Sequence, residues 1–196
     1  MNLEEINKSY DEIMNVSYLS SFLTSRSQKI SNYKTLIEKY EEYLKTSENV
    51  TNENLESIYL KLSELYLLID DRENALKYKN KYLNLLSDEQ LKEKLIICTE
   101  QQISELLVYA DESLKIKLYK YLITLNKKYL DPFICEFYNK EKEFLEPYVK
   151  ELFEGLLGTP EAQKYGKLLD LDYVINTDPL PSNVDYYLSL KNNENK

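Results

Sequence analysis

The chain of 196 residues carries 34 Asp and Glu against 25 Lys and Arg, a net charge of −9, with 43% apolar and 30% charged residues. Such a length supports one domain with a real core, the composition is that of an ordinary globular protein, and the acidic balance argues against DNA binding, which draws on clustered Lys and Arg. Three Gly and five Pro are too little punctuation for a many-stranded β protein, so the class is all-α.

Asn2 and Glu5 form a capping-box pair, and Leu3, Ile6, Tyr10 and Ile13 then recur at three and four residues, which predicts a first helix running past Leu19. A Ser-rich patch from Ser20 to Ser27 reads as the turn. Ile30, Tyr33, Ile37, Tyr40 and Leu44 define a second helix, antiparallel to the first, and Thr46 to Asn54 is a polar linker. From Glu56 to Ser87 the spacing predicts two helices meeting at Asp70-Asp71, with Asp70 capping the second and Glu73 at its capping-box position. Leu55, Tyr59, Leu62, Tyr66 and Ile69 make one stripe of the first helix, and Leu60, Leu67 and Leu68 make another. A helix apolar on two sides must touch two neighbours.

Ser87 with Gln90 starts a helix expected to contain Leu91, Leu95, Cys98, Ile103, Leu106, Leu107 and Ala110. The helix after Asp111 keeps its period from Leu114 to Tyr129. Asp131-Pro132 reads as an N-cap followed by proline at the first helical position, and Pro147 is expected to kink or end the helix that follows. A further helix from Tyr148 should stop at Gly158, and Thr159-Pro160-Glu161 should open a last one reaching about Leu171. The division expected is a single domain over 1–171 and an extended or disordered tail over 172–196.

Within the central hairpin Tyr59, Leu62, Ser63 and Tyr66 stand as aromatic, two residues, Leu, small residue, two residues, Tyr, and Ala75 follows nine positions later. That pattern resembles the tetratricopeptide repeat, W-x2-L-G-x2-Y followed by Ala, and it covers about 32 residues. Lys79 stands where the repeat carries Phe, with Tyr78 beside it, and Ser87 stands where it carries Pro. The resemblance implies a short right-handed solenoid of antiparallel helix pairs with C-terminal capping helices. It also implies a groove lined by the first helix of the hairpin, at Leu60, Glu64, Leu67 and Leu68. Glu64 occupies a position where the chaperone-type clamp for acidic C-termini uses Asn, so that ligand is disfavoured.

Chemistry is harder to place. The sequence has no His and only two cysteines, Cys98 and Cys135, in apolar helical stretches that suggest buried thiols. There is no Gly-rich phosphate loop, no nucleophile elbow and no metal-ligand spacing, so no catalytic residue, cofactor or metal is implied. Asp70-Asp71 and Glu41-Glu42 are explained by caps and solvated faces. No secretory signal and no membrane-spanning run is expected, and unpaired thiols suit the cytoplasm.

Two further surfaces stand out. Lys115, Lys117, Lys120, Lys127 and Lys128 interleave with Tyr119 and Tyr129, a basic side that could meet an acidic protein or an RNA backbone. Tyr186, Tyr187 and Leu188 beside Asp185 form a short apolar cluster in the tail, able to dock on a partner or back on the chain itself. The function expected is a non-enzymatic protein–protein interaction module, an adaptor or assembly subunit whose partner is another protein or peptide. The alternative is a factor docking on a ribosome or other ribonucleoprotein particle through its Lys and Tyr side.

Overall fold

A computed structural model describes residues 2–19, 25–47 and 50–194, and these hold twelve α-helices, two 3-10 turns and no strand. They divide into two compact units, Met1–Leu122 and Ile123–Lys196, in place of the single 1–171 domain expected.

The first unit opens with α1 (Leu3–Leu19) and α2 (Arg26–Thr46), each started by a side-chain cap. The Asn2 oxygen accepts from Glu4 N at 3.1 Å, and the Ser25 hydroxyl accepts from Gln28 N at 3.2 Å. Part of the Ser20–Ser27 turn, positions 20–24, lies outside the described residues. The hairpin follows as α3 (Asn52–Leu68) and α4 (Arg72–Leu85). Between them Asp70 takes a left-handed φ of 64°, Asp71 N donates to Tyr66 O at 2.9 Å, and Asp70 N donates to Leu67 O at 3.1 Å. This is a complete Schellman stop with Asp where Gly is usual. The cap of α4 is therefore Asp71, whose carboxylate accepts from Asn74 N at 3.1 Å, and not Asp70 as expected.

At the centre of the hairpin Ser63 and Ala75 are buried, and the Ser63 hydroxyl donates to Ala75 O at 3.0 Å. Two small residues let α3 and α4 approach, and the hydroxyl spends its donor on a carbonyl of the facing helix. Ile58, Leu62, Leu65 and Tyr66 fill the core with Ile6 and Tyr10 from α1 and Leu36, Ile37 and Tyr40 from α2. Each fully buried aliphatic side chain contributes about 1.5–3 kcal/mol. Tyrosines share this core because their hydroxyls reach acceptors at its rim. Tyr10 donates to Glu64 at 2.5 Å, Tyr40 to Asn7 at 2.8 Å, and Tyr66 and Tyr78 to the same Glu41 oxygen at 2.7 and 2.8 Å.

The helix expected from Ser87 to Ala110 is two, α5 (Asp88–Leu95) and α6 (Glu100–Leu107). Both are opened by reciprocal capping boxes, Ser87 with Gln90 and Thr99 with Gln102. The second box, hidden inside an apolar run, divides the helix and leaves Ile96 and Ile97 in solvent. Cys98 is half-buried there, its thiol donating to Lys94 O at 3.3 Å. α7 (Glu112–Leu125) closes the series, with Leu114 N donating to the Asp111 carboxylate at 3.0 Å.

The second unit takes in the last residues of α7 and continues through a 3-10 turn, Lys127–Tyr129, capped by Asn126, α8 (Leu130–Phe137), α9 (Lys142–Gly155), a 3-10 turn at Pro160–Ala162, α10 (Gln163–Gly166), α11 (Leu171–Thr177) and α12 (Pro181–Glu194). Asp131 is not the cap of α8 but lies in its first turn, where its carboxylate accepts from the Tyr165 hydroxyl at 2.5 Å and the Lys164 ammonium. Those partners, Lys164 foremost, hold its acid below the usual carboxylate range. Cys135, on the same helix, is exposed and not a core thiol.

Pro147 neither ends nor interrupts the helix around it, because Leu145, Val149 and Phe153, at i, i+4 and i+8 along α9, are fully buried on both sides of it. Their burial outweighs the roughly 3 kcal/mol that an internal proline costs. Past α9, Gly158 holds a φ of +77°.

The helix expected to reach Leu171 stops at Gly166, whose missing Cβ leaves room for the Tyr187 ring. The expected tail beyond 172 is α11 and α12. Asp178, buried between them, accepts from Gly158 N at 3.2 Å, Leu180 N at 3.0 Å and the Asn183 amide at 2.7 Å. Asn183 also donates to Thr159 O at 2.8 Å and accepts from Gln163 at 2.9 Å. This polar knot fixes the Asp178-Pro179-Leu180-Pro181 segment, and Pro181 then serves as a first helical residue.

Candidate functional site

Leu60, Glu64, Leu67 and Leu68 fall on one face of α3, as their i, i+4, i+7, i+8 spacing requires. The leucines are 38%, 60% and 42% exposed in that order. The core does not use them, since α3 buries Ile58, Leu62, Leu65 and Tyr66 instead. Glu64 accepts the Tyr10 hydroxyl, and burial together with that bond pushes the Tyr10 pKa upward. Lys61 sits 4.9 Å over the Tyr10 ring and donates to Asn7 at 2.8 Å; burial lowers its pKa. The leucine strip is thus apolar surface rimmed by charges that are already engaged with α1.

A second feature of the first unit runs along α4. Asn74, Lys77, Tyr78, Lys81 and Asn84 share one face of that helix and line a cleft of about 340 Å³, and Tyr78 and Lys81 also line an adjoining one of about 670 Å³. Glu41, Tyr78 and Lys81 belong to both clefts, Tyr109 and Asp111 to the smaller, and Leu44, Val50, Leu55 and Tyr59 to the larger. Lys81 Nζ lies 4.6 Å over the Tyr78 ring and 5.7 Å over the Tyr59 ring, and Tyr78 stacks on Tyr66 at 5.6 Å. Lys79, at the repeat's Phe position, is half-buried over Tyr82 at 5.2 Å, and burial lowers its pKa. Asn80, buried beside the smaller cleft, donates to Leu106 O at 2.8 Å and leaves its own oxygen without a partner. Sequence reasoning placed Tyr78 on a buried face and overlooked this cleft. The signal was present in Asn74, Lys77, Tyr78 and Lys81, polar and aromatic residues at helical spacing.

The basic side of α7 is less open than its sequence suggests. Lys115, Lys117 and Lys120 are half-buried, and Lys117 pairs with Asp88 at the start of α5 at 2.9 Å. The Lys117 bond, with Lys92 and Lys120 nearby, holds the Asp88 acid below its ordinary range. Lys115 and Lys120 are engaged as well. Lys127 and Lys128 do not continue this face, because α7 ends at Leu125; Lys127 pairs instead with Glu151 at 2.8 Å.

Tyr186, Tyr187 and Leu188 lie on α12 and not on an extended strip. Tyr187 is wholly buried, meets Phe153 edge-on at 6.5 Å, and leaves its hydroxyl without a partner within hydrogen-bonding reach. Burial and then the Asp178 charge push its pKa up to about 12. Tyr186 is half-buried and only Leu188, 42% exposed, faces solvent.

Asp71 is a helix cap, Asp70 a helix stop and Glu41 an acceptor for two phenols. Among the described residues no group of three or more His, Cys, Asp or Glu side chains could hold a metal ion, and no helix is long and apolar enough to cross a membrane.

Fold and surfaces together define an all-helical protein with a leucine strip and a Tyr- and Lys-lined cleft on its first unit. No protein-family model, characterised protein or solved structure matches the chain.

Proposed function

We propose that the chain is a non-catalytic protein-binding module, an adaptor or assembly subunit that holds a partner protein on α3. The observation that carries this reading is the exposed strip of Leu60, Leu67 and Leu68 on a helix whose opposite side already fills the core. Such surface costs solubility without adding stability, which makes a partner its natural use. Glu64 and Lys61 at its margin supply a charged rim that sets partner choice.

In this reading the pairs α1–α2 and α3–α4 are successive units of a tetratricopeptide-like array. The close approach at Ser63 and Ala75 supports it, as do Leu62 and Tyr66 in the core. Cys98 and Cys135, both unbridged and one exposed, suit a reducing compartment and hence the cytoplasm. The ribonucleoprotein alternative is the weaker one, since docking on phosphates through α7 would have to compete with the Lys117–Asp88 pair.

The test replaces Leu60, Leu67 and Leu68 together by Ser. Helicity by circular dichroism should be unchanged. Capture of a discrete protein from native lysate, resistant to nuclease and moderate salt, should fall at least about tenfold, the equivalent of about 1.4 kcal/mol. Undiminished capture by the triple variant would overturn the assignment to α3.

A further inference from the structure

The larger cleft along α4 carries local charge of the opposite sign to the chain as a whole. Its walls hold Lys45 and Lys81 against Glu41, on a protein of net charge −9, and the smaller cleft beside it balances Lys77 and Lys81 against Glu41 and Asp111. Both carboxylates accept hydrogen bonds. One Glu41 oxygen accepts both Tyr66 and Tyr78, and Asp111 accepts from Leu114 N and the Asn84 amide. Among the lysines, Lys77 pairs with Glu73 at 2.6 Å.

Lys81 has no carboxylate within ion-pair distance among the described residues, and the Tyr59 and Tyr78 rings hold its ammonium in place. The hydroxyls of Tyr59 and Tyr109, on the two sides of this lysine's helix face, make no hydrogen bond to any described residue. The cleft therefore presents unmatched donors, and the group that satisfies several donors at once is an anion rich in acceptors. Beside Lys81 the wall changes character, with Leu44, Val50 and Leu55 lining the larger cleft. A free inorganic anion would leave that apolar surface uncovered.

We propose that this cleft binds an acidic peptide segment of the partner protein, with a carboxylate seated against Lys81 between Tyr59 and Tyr78 and an adjacent aliphatic side chain on Leu44, Val50 and Leu55. The proposal rests on the adaptor reading and gives its partner a chemistry. α3 takes an apolar surface of that partner and α4 takes its acidic-aliphatic segment. Charge complementarity selects this occupant, since a basic segment would meet Lys45 and Lys81 in the larger cleft, against the single carboxylate of Glu41.

The experiment uses the full chain and a fluorescein-labelled peptide alternating glutamate and leucine, followed by anisotropy. A second peptide has glutamine at every glutamate. The acidic peptide should bind and the glutamine peptide should bind at least about tenfold more weakly. Lys81→Gln should remove that difference, and Lys81→Arg should restore it, which a merely unfolded variant could not do. Equal binding of the two peptides, or unchanged binding by Lys81→Gln, would overturn the proposal. So would a labelled oligouridylate that binds more tightly than the acidic peptide and depends on Lys81, because that outcome assigns the cleft to nucleic acid.

The leucine variant separates this proposal from the reading beneath it. Leu60, Leu67 and Leu68 line neither cleft. Loss of the captured protein in the leucine variant, with peptide binding indifferent to Lys81, defeats the cleft alone. Retained capture with Lys81-dependent peptide binding defeats the α3 assignment alone.

Discussion

Both units carry tyrosine hydroxyls to acceptors, as Tyr165 does at Asp131 in the second, but they differ in the polar groups they bury, and a buried carboxylate occurs in the second alone among the described residues. In the first, the aromatic rings of Tyr10, Tyr40 and Tyr66 go inward and each hydroxyl is carried back to an acceptor at the rim, Glu64, Asn7 or Glu41. In the second, Asp178 and Asn183 themselves go inward and bind three turns together from the inside. The first device is repeated along long, regular helices, of which α2 runs for 21 residues. The second serves short ones, none longer than the 14 residues of α9 and α12. The first unit is accordingly held by apolar stripes that repeat every three to four residues. The second also buries apolar stripes along α8 and α9, and adds to them a few polar contacts that occur once each.

The sharpest way to break this contrast is Tyr187→Ala, which empties the site beneath Gly166 and beside Phe153. A cost of about 3–5 kcal/mol is expected in urea unfolding, where a docking motif on the surface would cost almost nothing. The same residue gives a pH signature. Its folded pKa of about 12 lies above the ordinary value near 10, so the folded state keeps a proton that the unfolded state gives up. Its contribution is complete below pH 10 and is lost as pH rises from 10 toward 12. The urea midpoint should fall over that window, and Tyr187→Phe should flatten part of the fall.

Asn183→Ala comes next. It strips Asp178 and Thr159 O of a buried donor and should cost about 1–3 kcal/mol. In the first unit, Ser63→Ala removes only the bond to Ala75 O while keeping the small side chain, and about 1 kcal/mol is expected. A larger loss there would mean that the hairpin, too, depends on single polar contacts. The smallest effect has the opposite sign. Asp70→Gly relieves a left-handed residue at the end of α3 and should raise stability by up to about 1 kcal/mol, read as a higher thermal midpoint.

That contrast also explains what could be read from the sequence. The helices α1 to α4 and the small positions Ser63 and Ala75 were legible, because burial imposes a period on long helices and every turn repeats the signal. The division at Thr99 was not, because one capping box spoke against the apolar spacing from Leu91 to Leu107. Asp131 looked like a cap because of Pro132 beside it, whereas Lys164 and Tyr165, more than thirty residues away in sequence, claimed its carboxylate. The segment after 172 lacked periodicity since Asp178 and Asn183 occupy buried positions that a hydrophobic pattern would give to leucine. Of the expected surfaces, Leu60, Leu67 and Leu68 were legible as a second stripe, but the second neighbour that the stripe predicted is not there among the described residues, and the three leucines are exposed. The α4 cleft was missed because Tyr78 is at once a core ring and a cleft wall.

The measurement that bears most directly on partner binding through α3 is site-specific photo-crosslinking in native lysate, with a benzophenone side chain placed in turn at Leu67, Lys120 and Leu188. The expected result is a discrete protein adduct from Leu67, insensitive to nuclease and absent from the other two positions. Adducts from Lys120 or Leu188 alone, with Leu67 silent, would contradict it.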